Sequence, residues 1–452
     1  MSDYIYMLES HLSADQNRVV AAVREAASAA NLNLFLTGGA MRDMLAGRRV
    51  RGLDFVVEGN ALKLAKSLSD HGGARLVRSD ETLKSAELVF PGGVTAQVAM
   101  SRQERHPRAG TKPQGTSALN PATIQEDLRA RDFTLNAIAL SLNKASHGLL
   151  LDPMNGLADI GRSELRAVSP YGFYDDPSRL LRLVRFQVRL GFSVEERTRM
   201  QVANAREAGV ERGIPPRALG EELKSIATED SPLEILEALE EAGLLALISP
   251  ALAGPKRNLA GVAKFEKIAR LLPDDAPSRA ARTGPFLCAL TETFSAKEKL
   301  ALVKGTELPK ADVDLWQKLE ARARKLEAAL RSTRIRKASQ VYDIVSAAVP
   351  DEVLFLLYHS SFKPVQERLR NYYQKYLPAV QEIAPEEWAT LEGNPETPRY
   401  AKARHAFIAN HLDRRIRKVE EAPVDPAAAS PAPAGPPGTA IAAESAAPRR
   451  VR

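Results

Sequence analysis

A glycine pair, an arginine about one helical turn further on and an aspartate on the next strand are the residues most able to do chemistry here. They lie in TGGAMRDMLAGRRVRGLDFVVEG, residues 37–59, as Gly38, Gly39, Arg42 and Asp54. A Gly-Gly turn that opens a helix brings backbone N–H groups against a polyphosphate, and Arg42 adds a charge-assisted contact. Taken alone, such a pair is usually only a turn. A second constellation is Asp176 with Arg179, three residues apart and so on one helix face. Its plainest reading is a surface ion pair. Arg182 and Arg185 extend the stripe, and an exposed basic face would explain them equally well. The seven histidines (11, 71, 106, 147, 359, 405 and 411) show no ligand spacing. The single cysteine, Cys288, rules out an internal disulfide and a cysteine-based metal site.

The elements that must position these residues are legible as well. LFLTGG (34–39) reads as a strand ending in a turn, and AMRDMLAG as a short helix stopped at Gly47. LDFVVEG (53–59) is a second strand and ALKLAKSLSDHGG a helix closed by glycines. ARLVRS, AELVF, VTAQVAM, AIALSL and GLLLD complete a mixed sheet. The polar, Gly- and Pro-rich stretch between Ser101 and Asn120 is long for a loop inside a compact domain, which implies a functional or disordered segment.

From about Asp175 helix follows helix. VQERLRNYYQKYL and YAKARHAFIANHLDRRIRK (400–418) are basic, with interleaved aromatics, and suit either a solvated face or one that tracks RNA phosphates. The expected class is α+β: a small mixed-sheet head (1–150), an all-helical neck (151–235) and body (236–419), and a disordered Pro/Ala-rich tail (420–452). Net charge is +7, which favours a polyanionic partner, although many enzymes are mildly basic for no special reason. The N-terminus lacks a signal-peptide core, and no stretch approaches the roughly 18 apolar residues of a membrane span. A cytoplasmic protein is expected.

Five motifs in order resemble those of the class II tRNA nucleotidyltransferases (CCA-adding enzymes) and bacterial poly(A) polymerases. They are the 37–59 segment, DLRARDFTLNAIAL (127–140), LLLDPMNGLADI (149–160), FYDDPSRLLRLVRFQVRLGF (173–192) and IPPRALGEELKSI (214–226). The resemblance implies a template-independent transferase that adds CCA, or part of it, to tRNA 3′ ends from CTP and ATP. A poly(A) polymerase shares every motif. It further implies that Asp175, Asp176 and Arg179 select the base, since a carboxylate and a guanidinium together imitate a Watson–Crick edge. Arg131, Asp132 and Asn136 would hold sugar and phosphates, and Arg182 and Arg185 would reach the triphosphate. Mg2+ would be bound at Asp54, the catalytic carboxylate.

The sequence departs from the family at that metal site. The family's Asp-x-Asp offers two carboxylates on one strand face, whereas this chain reads Gly52-Leu53-Asp54. The acidic residue of a neighbouring strand falls at Gln97, with Val98 and Ala99 beside it. Asp43 and Glu58 are poor substitutes, because one belongs to the glycine-turn helix and the other lies about 13 Å along the strand. A third reading is therefore an RNA-binding protein that kept the fold and lost the chemistry.

Overall fold

Alternation along the strands decides which face of the head's sheet becomes core. The computed structural model describes residues 3–104, 119–273, 278–279, 281–391 and 397–421. Helices α1 (Asp3–His11) and α2 (Ala14–Ala29) come first, α2 opened by a capping box between Ser13 and Gln16. There follow β1 (Asn33–Thr37), α3 (Gly38–Leu45), β2 (Leu53–Glu58) and α4 (Ala61–His71). The strands β3 (Arg75–Asp80), β4 (Ser85–Val89), β5 (Thr95–Met100), β6 (Arg102–Glu104) and β7 (Leu119–Pro121) precede α5 (Ile124–Arg129). β8 (Ala139–Ser141) and β9 (Leu150–Leu151) complete the head.

The main sheet has the order β3-β4-β5-β2-β1-β8-β9, with β2 and β5 parallel and the other neighbours antiparallel. Leu53, Phe55 and Val57 of β2 join Ala96 and Val98 of β5 in the principal core. The intervening residues point the other way, where Val56, Phe35 and Ala139 pack with Ile124 and Leu128 of α5. Asp54 shares the strand face of Val56, opposite the principal core.

Beyond the head come α6 (Gly156–Arg162), α7 (Gly172–Asp175), α8 (Arg179–Leu190), α9 (Glu196–Glu207), α10 (Pro216–Thr228) and α11 (Pro232–Glu241). Further helices reach Leu377–Gln381, interrupted by a π-helical turn at Tyr372–Tyr376. The principal core runs without a break from Ile5 to Tyr372. Residues up to 336 and 340–382 form one compact unit, and 337–339 with the chain from Ile383 form a second. Within the second unit the last helix, Pro398–Glu421, sets Phe407 against Trp388 and the Arg404 guanidinium over the same ring.

A mixed-sheet head followed by helices is the expected class. The elements are shorter than the sequence pattern suggests where glycine or a polar turn intervenes. The helical stretch LEILEALEEAGLLALI breaks at Gly243, whose φ of +66° suits glycine alone without strain. The strand expected over 137–142 narrows to β8 because a 3-10 turn, Thr134–Asn136, occupies the residues before it. Of the long loop, β6 and β7 form a paired stem, and 105–118 lie outside the described residues, as does the tail 422–452. Among the described residues no helix is long and apolar enough to cross a membrane.

Candidate active site

A cavity of about 700 Å³ opens where the start of α3, strands β2 and β5, the segment after α5 and helix α8 converge. Its floor is the turn from β1 into α3. Gly38 takes a φ of +62°, and a Cβ there would stand 3.1 Å from the Asp54 carboxylate. A Cβ on Gly39 would stand 3.3 Å from the same oxygen. The glycine pair therefore lets the aspartate of β2 reach the helix start, where Asp54 Oδ2 accepts the Gly39 N–H at 3.1 Å. Burial pushes the Asp54 carboxyl above its ordinary pKa, against the Gly39 N–H and the Arg131 and Arg42 guanidinium groups, which pull it down.

Strand register fixes what stands beside Asp54. Thr37 faces it from β1 and Gln97 from β5. The neighbouring-strand position expected to be acidic in the family is thus the Gln97 amide, directly across from Asp54. At Gly52 the backbone is ordinary, and a Cβ would meet only Thr95 Oγ1 at 3.9 Å.

The walls are built from charges tied to one another. Arg42 is buried, donating to Asn136 Oδ1 and to Asp43 Oδ1, each at 2.9 Å, with Phe186 under its guanidinium. Asn136 in turn donates to Asp132 at 2.9 Å, and Arg182 donates to the other Asp132 oxygen at 2.9 Å. Burial would raise the Asp132 carboxyl, yet Arg182 and Asn136 bring it down to about 2. Arg131 grips Asp127 through two N–H groups at 2.9 and 2.7 Å. The turn that carries Asn136 is held from behind. The Thr134 hydroxyl donates to Asp159 at 2.6 Å, and Gly156 packs so close to the Thr134 carbonyl that a Cβ would sit 2.1 Å from it. Asp152 accepts the N–H groups of Gly156 and Leu157, which starts α6 there. The DPMNG segment is scaffolding for Asn136.

Asp176 and Arg179 come together at the cavity's edge, their closest atoms 3.6 Å apart. Asp176 Oδ1 accepts from the Ser178 N–H and hydroxyl, leaving Oδ2 turned to the guanidinium. Arg179 donates to the Ala130 and Arg131 carbonyls at 3.3 and 3.4 Å, and its buried Nε has no hydrogen-bond partner. Asp175 is exposed and is not among the side chains lining the cavity.

Arg182 and Arg185 both use Glu222 of α10, and Arg185 adds Glu229 at 3.0 Å. Arg189 joins Asp43 at 2.6 Å, and Arg51 joins Glu229 at 2.6 Å. Burial is opposed at Glu229 by Arg189, Arg185 and Arg51, which hold its carboxyl near 2. Burial, with Arg42 nearby, lowers Arg189 to about 10. Sequence reasoning did not single out Asp127, Arg189, Glu222 or Glu229 as parts of the site. Arg189 lies on the arginine stripe and Glu222 beside the expected Arg-x-x-x-Glu pair, but only folding shows whom they meet.

Residues 34–166 match the poly(A) polymerase head domain. Over this stretch the chain is similar to the head of the poly(A) polymerase family. It is 38% identical over 206 residues to the A-adding tRNA nucleotidyltransferase of Aquifex aeolicus, covering 46% of this chain and 24% of that protein. It is 35% identical over 221 residues to the multifunctional CCA protein of Nitrosococcus oceani, covering 48% of this chain and 50% of that one. The chain thus spans from about a quarter to about half the length of these curated relatives. A CCA-adding enzyme of known structure in its apo form II superposes with a TM-score of 0.52 at 23% identity, over 91% of this chain and 95% of that one, which establishes a shared fold.

Nucleotidyltransferases of this family are generally metal dependent. The residues here do not fit a pair of divalent ions. Two such ions need several carboxylates on one face, and the floor supplies Asp54 alone between Gly52 and Gln97. Among the described residues no three acidic, histidine or cysteine side chains converge on a cation.

Proposed function

We propose that this chain acts at the 3′ ends of tRNA as a template-independent nucleotidyltransferase, adding CCA or part of it from CTP and ATP. One observation carries the reading. A single cavity joins a glycine-turn helix start with its aspartate to an acceptor-donor pair, Asp176 and Arg179. In this reading Asp176 accepts from the base edge and Arg179 donates to it, its Nε facing Asp176 at 3.6 Å without a hydrogen bond. Arg131, Asp132 and Asn136 set the sugar and phosphates, and the start of α3 at Gly38 lies against the triphosphate with Arg42, the Gly39 N–H being held by Asp54. Arg182 and Arg185 serve largely through Glu222, holding α8 at the correct height. Asp54 is the one carboxylate this reading sets at the reacting phosphate. Residues 1–150 are the head, 151–235 the neck, and the basic helices of 236–419 the surface for tRNA.

A second reading has its own support: Gly52 and Gln97 leave the floor short of metal ligands, which favours nucleotide and RNA binding without turnover. Incorporation of labelled CTP and ATP into tRNA lacking its CCA end, with Mg2+, separates the two. For a transferase, the natural protein incorporates label and Asp54→Ala lowers the rate by about two orders of magnitude, the scale of losing a group that stabilises transition-state charge. The nucleotide used then distinguishes CCA, C-only, A-only and poly(A) addition. Label incorporated by Gly52→Asp but not by the natural protein would establish the second reading.

A further inference from the structure

Phe173 pins the short helix α7 to the core and leaves its other side bare. The Phe173 ring is 1% exposed and packs 6.5 Å from the Phe133 ring, centroid to centroid. Tyr171, which precedes the helix, and Tyr174, three residues on, are by contrast 68% and 45% exposed. Residues three apart on a helical turn lie on one side of it, so the two phenol rings share a solvent face turned away from Phe173. A single exposed apolar side chain is ordinary on a protein surface. Two aromatic rings on one turn beside a ligand cavity form a surface that a partner can cover.

This turn is fixed against the edge of the cavity. A Cβ built on Gly172 would lie 3.0 Å from Arg179 Nη1, so the backbone of α7 rests directly on that guanidinium. The Asp176 N–H donates to the Gly172 carbonyl at 3.1 Å, and Arg179 reaches on to the Ala130 and Arg131 carbonyls. Asp176, Arg179 and Ala130 line the cavity, and the two tyrosines stand on the turn just outside them. The charges at this rim balance. Arg179 and the exposed Arg129 at the end of α5 are matched by Asp176 and the exposed Asp175. Net charge therefore does not mark the rim for phosphate, and aromatic surface is what sets it apart.

An RNA 3′ end that reaches Asp54 leaves the nucleotides before it at the rim. Unpaired bases stack on exposed aromatic side chains whatever their identity, because every base has a π-face. Bases inside a duplex have both faces covered by their neighbours, so such a surface selects an unpaired end. We propose that Tyr171 and Tyr174 form a stacking platform for the last unpaired bases of an RNA 3′ strand, at the rim marked by Asp176 and Arg179. The inference deepens the reading above by naming the part of the RNA that is gripped. It rests on RNA binding and is independent of whether transfer follows.

The test measures Kd of the full-length protein by fluorescence anisotropy for two 5′-labelled RNA hairpins with the same stem. One ends in a short unpaired 3′ overhang, and the other carries abasic residues in place of the overhang nucleotides. The natural protein is expected to bind the first at least about fivefold more tightly, the scale of one stacked base. Tyr171→Ala and Tyr174→Ala are each expected to weaken binding of the first by about fivefold or more, and to leave the abasic hairpin within about twofold. Tyr171→Phe and Tyr174→Phe keep the ring and are expected to bind both hairpins as the natural protein does. Both side chains are exposed, and an unchanged thermal transition shows that the variants fold. Equal binding of the two hairpins by the natural protein, or alanine variants within about twofold of it on the first, would overturn the proposal and leave RNA binding standing. Absence of binding to either hairpin would remove the RNA-binding reading and the platform together.

Discussion

Glu222 shows how few side chains hold the cavity in shape. It is 4% exposed and accepts from both Arg182 and Arg185, which reach it from successive turns of α8. Breaking a buried ion pair by removing one partner costs about 3–5 kcal/mol, because the charge left behind has lost both water and its counter-ion. Glu222→Gln is therefore expected to lower stability by roughly that amount in urea unfolding. A loss below about 1 kcal/mol would mean that the arginines re-pair elsewhere. Asp132 and Glu229 belong to the same network, and both carboxyls sit near 2 in the folded protein, below the ordinary carboxylate range. A depressed carboxylate contributes stability that is complete above its unfolded pKa and disappears as pH falls through its folded pKa. The urea midpoint should accordingly hold steady from pH 7 to about pH 5 and decline between about pH 4.5 and 2. A midpoint unchanged down to pH 3 would contradict the assignment.

Among the elements, the β1–α3 turn is the one that tolerates least change. Ala at position 38 would have to adopt a φ of +62° and place its Cβ 3.1 Å from Asp54 Oδ2. The left-handed conformation alone costs a residue with a Cβ about 1–2 kcal/mol. Gly38→Ala should therefore destabilise by at least that much and weaken nucleotide binding by displacing Asp54, whereas Gly52→Ala, at an ordinary backbone position, should be nearly silent in stability. Thermal unfolding of the two variants side by side checks the contrast. Asp176 and Arg179 do meet, but not as neighbours on one helix face: Asp176 is the extended residue that ends α7 and Arg179 opens α8, so the break between the helices brings them together. Placing Gln97 beside Asp54 needed β2 and β5 to be neighbours, and the parallel crossover through α4, β3 and β4 is set by how α4 packs on the sheet.

Across the whole molecule the net charge of +7 has a measurable consequence. If the basic helices neutralise four phosphates of a single strand, RNA affinity falls about fiftyfold between 50 and 200 mM salt. Filter binding at several salt concentrations gives the slope directly, and a flat response would exclude a phosphate-tracking surface. Local patterns in the chain were enough to identify the mixed-sheet head, the helical remainder, the glycine turn with Asp54 and the gaps at Gly52 and Gln97. These features depend on residues close in sequence or on motifs read in order. Only the tertiary structure decided that Arg185, which by its spacing belongs to the nucleotide-facing stripe, is buried against Glu222 and Glu229, and that Asp175 stays outside the cavity. It also decided that Arg42 is committed to Asp43 and Asn136. The physical reason is common to all three. An arginine or aspartate has the same local signal whether it faces solvent, a ligand or another charge, and which it meets depends on elements as much as a hundred residues away in the chain.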